Sequence, residues 1–259
     1  MNRHYRTSAS GRPLSSHVDV DFFRSYGRLE GWEFRDNNLM VEGTTDVRYL
    51  EIANQRYVEE SGRSLIDGSF GVIAIGEAGD GGTYGMKEKL NTLWRIRRLS
   101  GQDGKERSCR VVAVLDDDAA GRDAFLHIER RGARAWADLF LLRRRNPQVD
   151  QPSSFKKQSD ELNRSYLQNR QFYCVIEDLI DFEVVDEFQR QHPRCLRRDI
   201  DECDGAFHVD IHKDYKGKLV RFVDENALLS DVSQLIELLK AFRSLLRLPV
   251  EGSSASQLP

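Results

Sequence analysis

Two short acidic motifs in this 259-residue chain have residue types and spacing suited to holding a hard cation. The first is Val41-Glu42-Gly43-Thr44-Thr45-Asp46, and the second is Leu115-Asp116-Asp117-Asp118-Ala119-Ala120-Gly121. Each follows a short apolar run that reads as a buried strand, so each sets carboxylates at a strand tip. Open α/β sheets bind ligands in the crevice beyond the carboxyl ends of their parallel strands. Glu42 closes its strand, and Asp46 lies four residues on, in the first turn of a helix, so both side chains can face that crevice. Along the extended Asp116-Asp117-Asp118 segment, alternation sends the first and third carboxylates to one side and the second to the other. Asp116 and Asp118 are therefore the working pair. Carboxylates crowded in this way raise one another's pKa and repel, which Mg²⁺ or Mn²⁺ bound through oxygen relieves. Two such ions, about 3.5 to 4 Å apart, activate an attacking water and stabilise a leaving oxygen in phosphodiester hydrolysis. Gly121 leaves room for the second helix to start close to the sheet.

The elements that must position these acids alternate. Leu39 to Val41 is a strand that passes through the Gly43 turn into a helix over Thr44 to Glu60, with Val47, Leu50, Ile52, Ala53 and Tyr57 at mostly helical spacing. Phe70 to Ile75 is a second strand, followed by a glycine-rich loop over residues 76–82 and a helix over Met86 to Leu99. Arg110 to Leu115 is nearly continuous valine, as a strand buried on both faces should be, and Ala119 to Arg131 is a helix broken by Gly132. Ala133 to Leu142 reads as a further strand, Arg143 to Arg170 as a polar, basic insertion or flexible loop, and Phe172 to Ile176 as a strand ending in Glu177. A helix with Phe182, Val184, Val185 and Phe188 follows. Such alternation predicts an α/β fold, a mostly parallel sheet with helices on both faces.

Beyond Pro193, Phe207 to His212, a Lys216-Gly217-Lys218 turn and Leu219 to Val223 predict a C-terminal hairpin. Asn226 to Leu248 predicts an amphipathic helix whose wide apolar stripe packs on this core or on a partner. The expected organisation is a partly disordered N-terminal extension (1–37), a catalytic domain (38–190) carrying the basic insertion (143–170), the hairpin and helix (191–250) and a disordered tail (251–259).

Composition fits a globular protein, with 39% hydrophobic and 31% charged residues. A formal net charge of -3, from 39 basic and 42 acidic side chains, neither demands nor excludes nucleic acid. No stretch approaches the roughly 18 apolar residues of a membrane span, and the opening segment lacks a signal peptide's apolar region. Cys109, Cys174, Cys195 and Cys203 form no Cys-x-x-Cys pair and suit a reducing, cytoplasmic setting.

The two acidic motifs, in this order and separated by a βα unit, resemble the signatures of the TOPRIM domain over about residues 38 to 190. That family includes topoisomerases, bacterial primases, RNA maturases, RecR and the OLD-family nucleases, so the resemblance implies Mg²⁺ and nucleic acid before any one reaction. Within that resemblance, too little sequence lies outside the core for the tyrosine-bearing domains expected of a topoisomerase, and the cysteine-rich zinc module expected of a primase is not seen. It is most similar to the OLD-like nuclease modules, in which an acid after a later strand helps hold the second metal. Glu177, at the end of Phe172-Tyr173-Cys174-Val175-Ile176-Glu177, fits that pattern as a fifth ligand. The resemblance thus implies a nuclease using two Mg²⁺ or Mn²⁺ ions held by Glu42, Asp46, Asp116, Asp118 and Glu177. Its substrate would be nucleic acid, DNA ahead of RNA, in the setting of anti-phage defence. With no Gly-x-x-x-x-Gly-Lys-Ser/Thr loop, any ATP dependence would need an ABC-type ATPase on a partner chain, and assembly as a homo-oligomer is a further expectation.

Plainer roles compete for the same residues. Asp118 and Asp46 suit helix capping, since acids in a first turn satisfy backbone donors and the helix dipole. Arg143, Arg144 and Arg145, with Lys156, Lys157, Arg164 and Arg170, would grip a nucleic-acid backbone or form a solvated loop. His192, Cys195, Cys203, His208 and His212 are zinc-ligand types at spacings unlike a finger's. Lys87 and Lys89 would touch a phosphate or sit on a solvated helix face. Two other functions stand beside the nuclease: a non-catalytic RecR-type scaffold or nucleic-acid-binding module, and a receiver-type protein phosphorylated on Asp116.

Overall fold

The computed structural model describes residues 21–76, 83–100, 109–168 and 172–250. The glycine-rich loop beyond Gly76, Arg170, and the tail segments 1–16 and 251–259 lie outside these residues. In chain order the elements begin with α1 (Phe22–Leu29), β1 (Asn37–Val41), α2 (Thr44–Ser61), β2 (Phe70–Ala74) and α3 (Thr83–Ser100). They continue with β3 (Arg110–Leu115), α4 (Ala119–Arg130), β4 (Leu139–Leu141), α5 (Pro152–Leu162), α6 (Arg164–Gln168) and α7 (Phe182–Gln191). The chain closes with β5 (Asp201–Cys203), β6 (Ala206–His208), α8 (Lys213–Asn226) and α9 (Ser233–Leu245).

The first four strands form one parallel sheet in the order β2-β1-β3-β4. Alternating side chains sort onto its two faces. Leu39 and Val41 of β1, Val112 and Val114 of β3 and Phe140 of β4 join one buried cluster with Leu50 of α2, Val223 of α8 and Leu239 of α9. Met40, Val111, Ala113, Leu115 and Leu139 face the other way, onto Phe23 of α1, Leu90 of α3 and Phe125 of α4. The predicted parallel α/β sheet with helices on both faces is what the chain builds.

Four expectations are corrected. Within the span expected as an insertion or flexible loop, the described residues 143–168 are ordered: Pro152 opens α5, whose Phe155 and Ser159 are buried, and Arg145 and Asn163 exchange hydrogen bonds of 3.1 and 2.8 Å. Phe172 to Ile176 is not a strand. Cys174 makes one bridge to Asp117, and the chain then tightens into a 3-10 turn, Ile176–Leu179, because the Asp178 carboxylate captures the Val175 N–H at 2.9 Å. The antiparallel hairpin lies earlier than expected. Its two-residue turn is Asp204-Gly205, both with positive φ, while the Lys216-Gly217-Lys218 segment is part of α8. Of the strand expected over Ala133 to Leu142, only Leu139–Leu141 pairs as a strand, after a turn in which Trp136 has positive φ and Asp138 binds Arg134.

The apolar stripe expected over Asn226 to Leu248 falls mainly on α9, and this chain covers it: Leu235, Leu238, Leu239 and Ala241 have no exposed surface. Leu228, at the start of the stripe and before α9, is 68% exposed. Among the described residues no helix is long and apolar enough to cross a membrane. Truncating Leu239 should leave a cavity costing about 2–5 kcal/mol. Urea denaturation of Leu239→Ala is expected to show that loss, and a variant as stable as wild type would detach α9 from the core.

Candidate metal centre

The sheet order fixes the location of the centre. From β1 the chain moves outward to β2 on one side and then returns to lay down β3 on the other, so β1 and β3 are neighbours whose carboxyl ends lie together. That is a topological switch point, where α/β sheets open a crevice. Glu42 follows β1 and Asp116 follows β3. The Asp116 N–H donates to Glu42 Oε1 at 3.0 Å, tying the two strand tips directly.

Capping accounts for one oxygen of each neighbouring acid. Asp118 is the N-cap of α4, its Oδ1 accepting from the Gly121 N–H at 2.7 Å. Asp46 accepts from the Gly43 N–H at 2.9 Å and from the Thr45 hydroxyl at 3.3 Å. Both acids therefore perform the capping role and also stand at the crevice. Asp117 points the other way, as alternation requires, and is gripped by Arg143 and Arg122. A Cβ on Gly121 would fall 2.0 Å from the Asp116 carbonyl oxygen, so this close approach of α4 to the strand tip requires glycine.

Burial and mutual repulsion raise the pKa values of Glu42, Asp46 and Asp116. Glu42 and Asp116 keep some exposed surface, but they sit in a recess where desolvation is the largest influence. Burial, then the charges of Asp46 and Asp118, push Glu42 up to about 7 against the Asp116 N–H and Lys216. Burial and the Glu177 charge raise Asp46 to about 6. Asp116 is lifted well above the carboxylate range by burial and by Glu42, Asp46 and Glu177. Each acid responds to its neighbours, as expected of groups converging on one small volume.

Glu177 reaches this volume from the 3-10 turn. It is only 1% exposed, and neither carboxylate oxygen receives a hydrogen bond. Lys216 of α8 brings Nζ to 3.0 Å from its Oε1, forming an ion pair. Burial works against the Lys216 charge, but Glu177, Asp116 and Asp46 outweigh it and raise its pKa. The Lys216-Gly217-Lys218 pattern predicts a turn and so conceals Lys216, which lies within α8. Read as a helix, residues 216, 219, 220 and 223 share one face, and a lysine on an otherwise apolar face is a recognisable signal.

Among the described residues, no group of three or more His, Cys, Asp or Glu side chains is arranged to hold a metal ion as it stands. The donor chemistry nevertheless fits a hard divalent cation. It is all carboxylate oxygen, it is mutually repelling, and it includes a buried carboxylate without a hydrogen-bond donor. The arginine run lies elsewhere. Arg143 and Arg144 are buried on Asp117 and Asp178, and Arg145 is the exposed member of the three. Lys87 pairs with Asp123 and Lys89 with Glu30. Searches against known protein families, curated proteins and solved structures return no match for this chain.

Raised carboxylates give stability a definite pH dependence. The folded protein keeps protons on Glu42 and Asp46 to about 7 and about 6, whereas the unfolded chain releases them near about 4. Their contribution to stability is therefore greatest at low pH and is lost as pH rises through those values. Metal-free melting temperature should fall by a few degrees between about pH 5 and 8, with a shallower fall in Glu42→Gln. A wild-type curve no steeper than the variant's would contradict this electrostatic picture. Gly121→Ala should lower the melting temperature at every pH through its clash with Asp116, and an undisturbed variant would mean that α4 can move away.

Proposed function

We propose that this chain is a divalent-metal-dependent nuclease with a TOPRIM-type catalytic domain, hydrolysing phosphodiester bonds in nucleic acid. The observation that carries it is the side-by-side placement of Glu42 and Asp116 at the ends of adjacent parallel strands, with Asp46, Asp118 and Glu177 charged onto the same recess. The resemblance of both acidic motifs to TOPRIM signatures agrees with that placement. Mg²⁺ or Mn²⁺, when bound, would supply Lewis acidity toward a phosphate oxygen and an activated water.

The chain's own groups have separable tasks. Glu42 Oε1 is fixed by the Asp116 N–H, so its other oxygen is left to meet a ligand. Asp118 and Asp46 each commit oxygen to a helix start, which holds their rotamers for the remaining coordination. Glu177 contributes a carboxylate lacking hydrogen-bond donors, the kind of group that gains most from a cation. Lys216 lies where its ammonium can shift from Glu177 to a phosphate oxygen as substrate charge enters. DNA is the first substrate to test, and an ABC-type ATPase partner or a second copy of the chain would have to dock elsewhere than on the buried apolar face of α9.

One observation favours a second reading, the RecR-type scaffold: Lys216 already neutralises part of the acid cluster. Incubation of purified protein with plasmid, linear DNA and RNA, with and without Mg²⁺ or Mn²⁺, separates the two. The nuclease cuts only with metal, and Glu42→Ala or Asp116→Ala should slow it at least about a hundredfold while remaining folded. Full activity in either variant would overturn the role assigned to the acids, and binding without cleavage in wild type would leave the scaffold.

A further inference from the structure

The turn that delivers Glu177 is held from behind. Its next residue, Asp178, has no exposed surface, and its carboxylate is surrounded by donors from three parts of the chain. His208 Nδ1, on β6, lies 2.8 Å from Oδ2. The Val209 N–H donates to Oδ1 at 2.9 Å, and the Val175 N–H donates to Oδ2 at 2.9 Å. Arg144 stands 3.3 Å away, and its guanidinium also donates to the Asp178 and Tyr173 carbonyls. Adjacent residues of a tight turn project in different directions. With the Asp178 carboxylate fixed on this side, that of Glu177 is directed to the acid cluster.

The segment that grips Asp178 also supplies the cation that faces Glu177. His208 ends the hairpin, and Lys216, eight residues on in α8, lies 3.0 Å from Glu177 Oε1. Two neighbouring acids are thus engaged by two residues of one short stretch, one on each side of the turn. His208 is 3% exposed, and the Tyr173 ring stands edge-on to its imidazole at 5.7 Å, which fixes the plane of the ring.

We propose that His208 is a positioning residue for Glu177, acting through Asp178: the hairpin sets the carboxylate that completes the acid cluster. The contribution to catalysis rests on the nuclease reading, but the positioning itself does not. Of the Asp178 partners, His208 is the most informative to change. Arg144 also braces the backbone at two carbonyls, whereas His208 contributes one ring nitrogen to the carboxylate.

The test uses the full chain without metal. Lys216 reactivity toward an amine-acylating reagent, read by mass spectrometry, reports whether Glu177 is in place, because an ammonium held by a buried carboxylate is protected. His208→Ala removes the 2.8 Å contact of Nδ1 with the Asp178 carboxylate and should raise labelling of Lys216 about tenfold, the scale of one lost charge-assisted hydrogen bond. Glu177→Gln should do the same, and the double variant should match either single one, since both act on one contact. His208→Asn, whose amide can stand where the Nδ1–H stands, should restore protection. Unchanged labelling in His208→Ala overturns the proposal, as does a double variant showing the product of the two increases or an Asn variant as reactive as Ala. Circular dichroism and unaltered labelling of Lys156 and Lys240 identify a folded sample; general unfolding of both His208 variants would make His208 a core residue and count against the proposal. A Mn²⁺ titration of the same proteins is read separately. If the labelling pattern holds and no variant binds Mn²⁺, positioning stands and the nuclease reading fails.

Discussion

Parallel pairing of β1 with β3 is the constraint on which the site depends. A chain that adds β2 on one flank of β1 and β3 on the other must leave two carboxyl ends side by side, with the following helices departing from a shared crevice. The Asp116 N–H to Glu42 hydrogen bond is the visible product of that topology. Gly121 is its steric price, because only a residue without Cβ lets α4 begin so near Asp116. The two faces of the sheet then divide the core, and α2, which carries Asp46, packs against both α8 and α9. The element bearing Lys216 is therefore held against the element bearing Asp46 by ordinary apolar packing.

Electrostatics give this geometry its chemical character. Carboxylates drawn together in a partly dry recess cannot all ionise freely, and the raised values of Glu42, Asp46 and Asp116 express that conflict. Three remedies exist: protonation, an internal cation or a bound metal. The raised pKa values of Glu42, Asp46 and Asp116 favour the first, and Lys216 against Glu177 is the second. On the nuclease proposal, a divalent cation would take over from the protons and free the lysine for incoming phosphate. The contrast with Asp117 is instructive. It is one residue away and buried as well, but it faces Arg143 and Arg122 and belongs to the framework that holds the strand tip.

Much of this arrangement was legible in the sequence where local pattern and final environment agree. β1, α2, β2, β3 and α4 follow from buried apolar runs and helical spacing, and the parallel sheet follows from their alternation. The placement of Glu42, Asp46, Asp116 and Asp118 at strand ends and helix starts follows from the same pattern. Legibility declined where long-range contacts decide local structure. Glu177 was found as an acid after an apolar run, but the run is held by Asp178 reaching Val209 and His208, partners some thirty residues distant. Arg143 and Arg144 read as surface charge because nothing local reveals the buried acids they meet. Lys216 was hidden by Gly217, which suggested a turn, whereas the Asp204-Gly205 pair carried the true hairpin signal. The apolar stripe of α9 was legible as a stripe, though what covers it depended on a core that pattern alone does not assemble.

A cation site at the β1–β3 switch point can be examined directly by soaking crystals of the protein in Mn²⁺ and measuring anomalous scattering at the manganese edge. Anomalous density is expected in the recess bounded by Glu42, Asp116 and Glu177, with Lys216 Nζ moved away from the Glu177 carboxylate. A fully soaked crystal with no peak in that recess, and Lys216 still seated on Glu177, would contradict the assignment of these acids to metal binding.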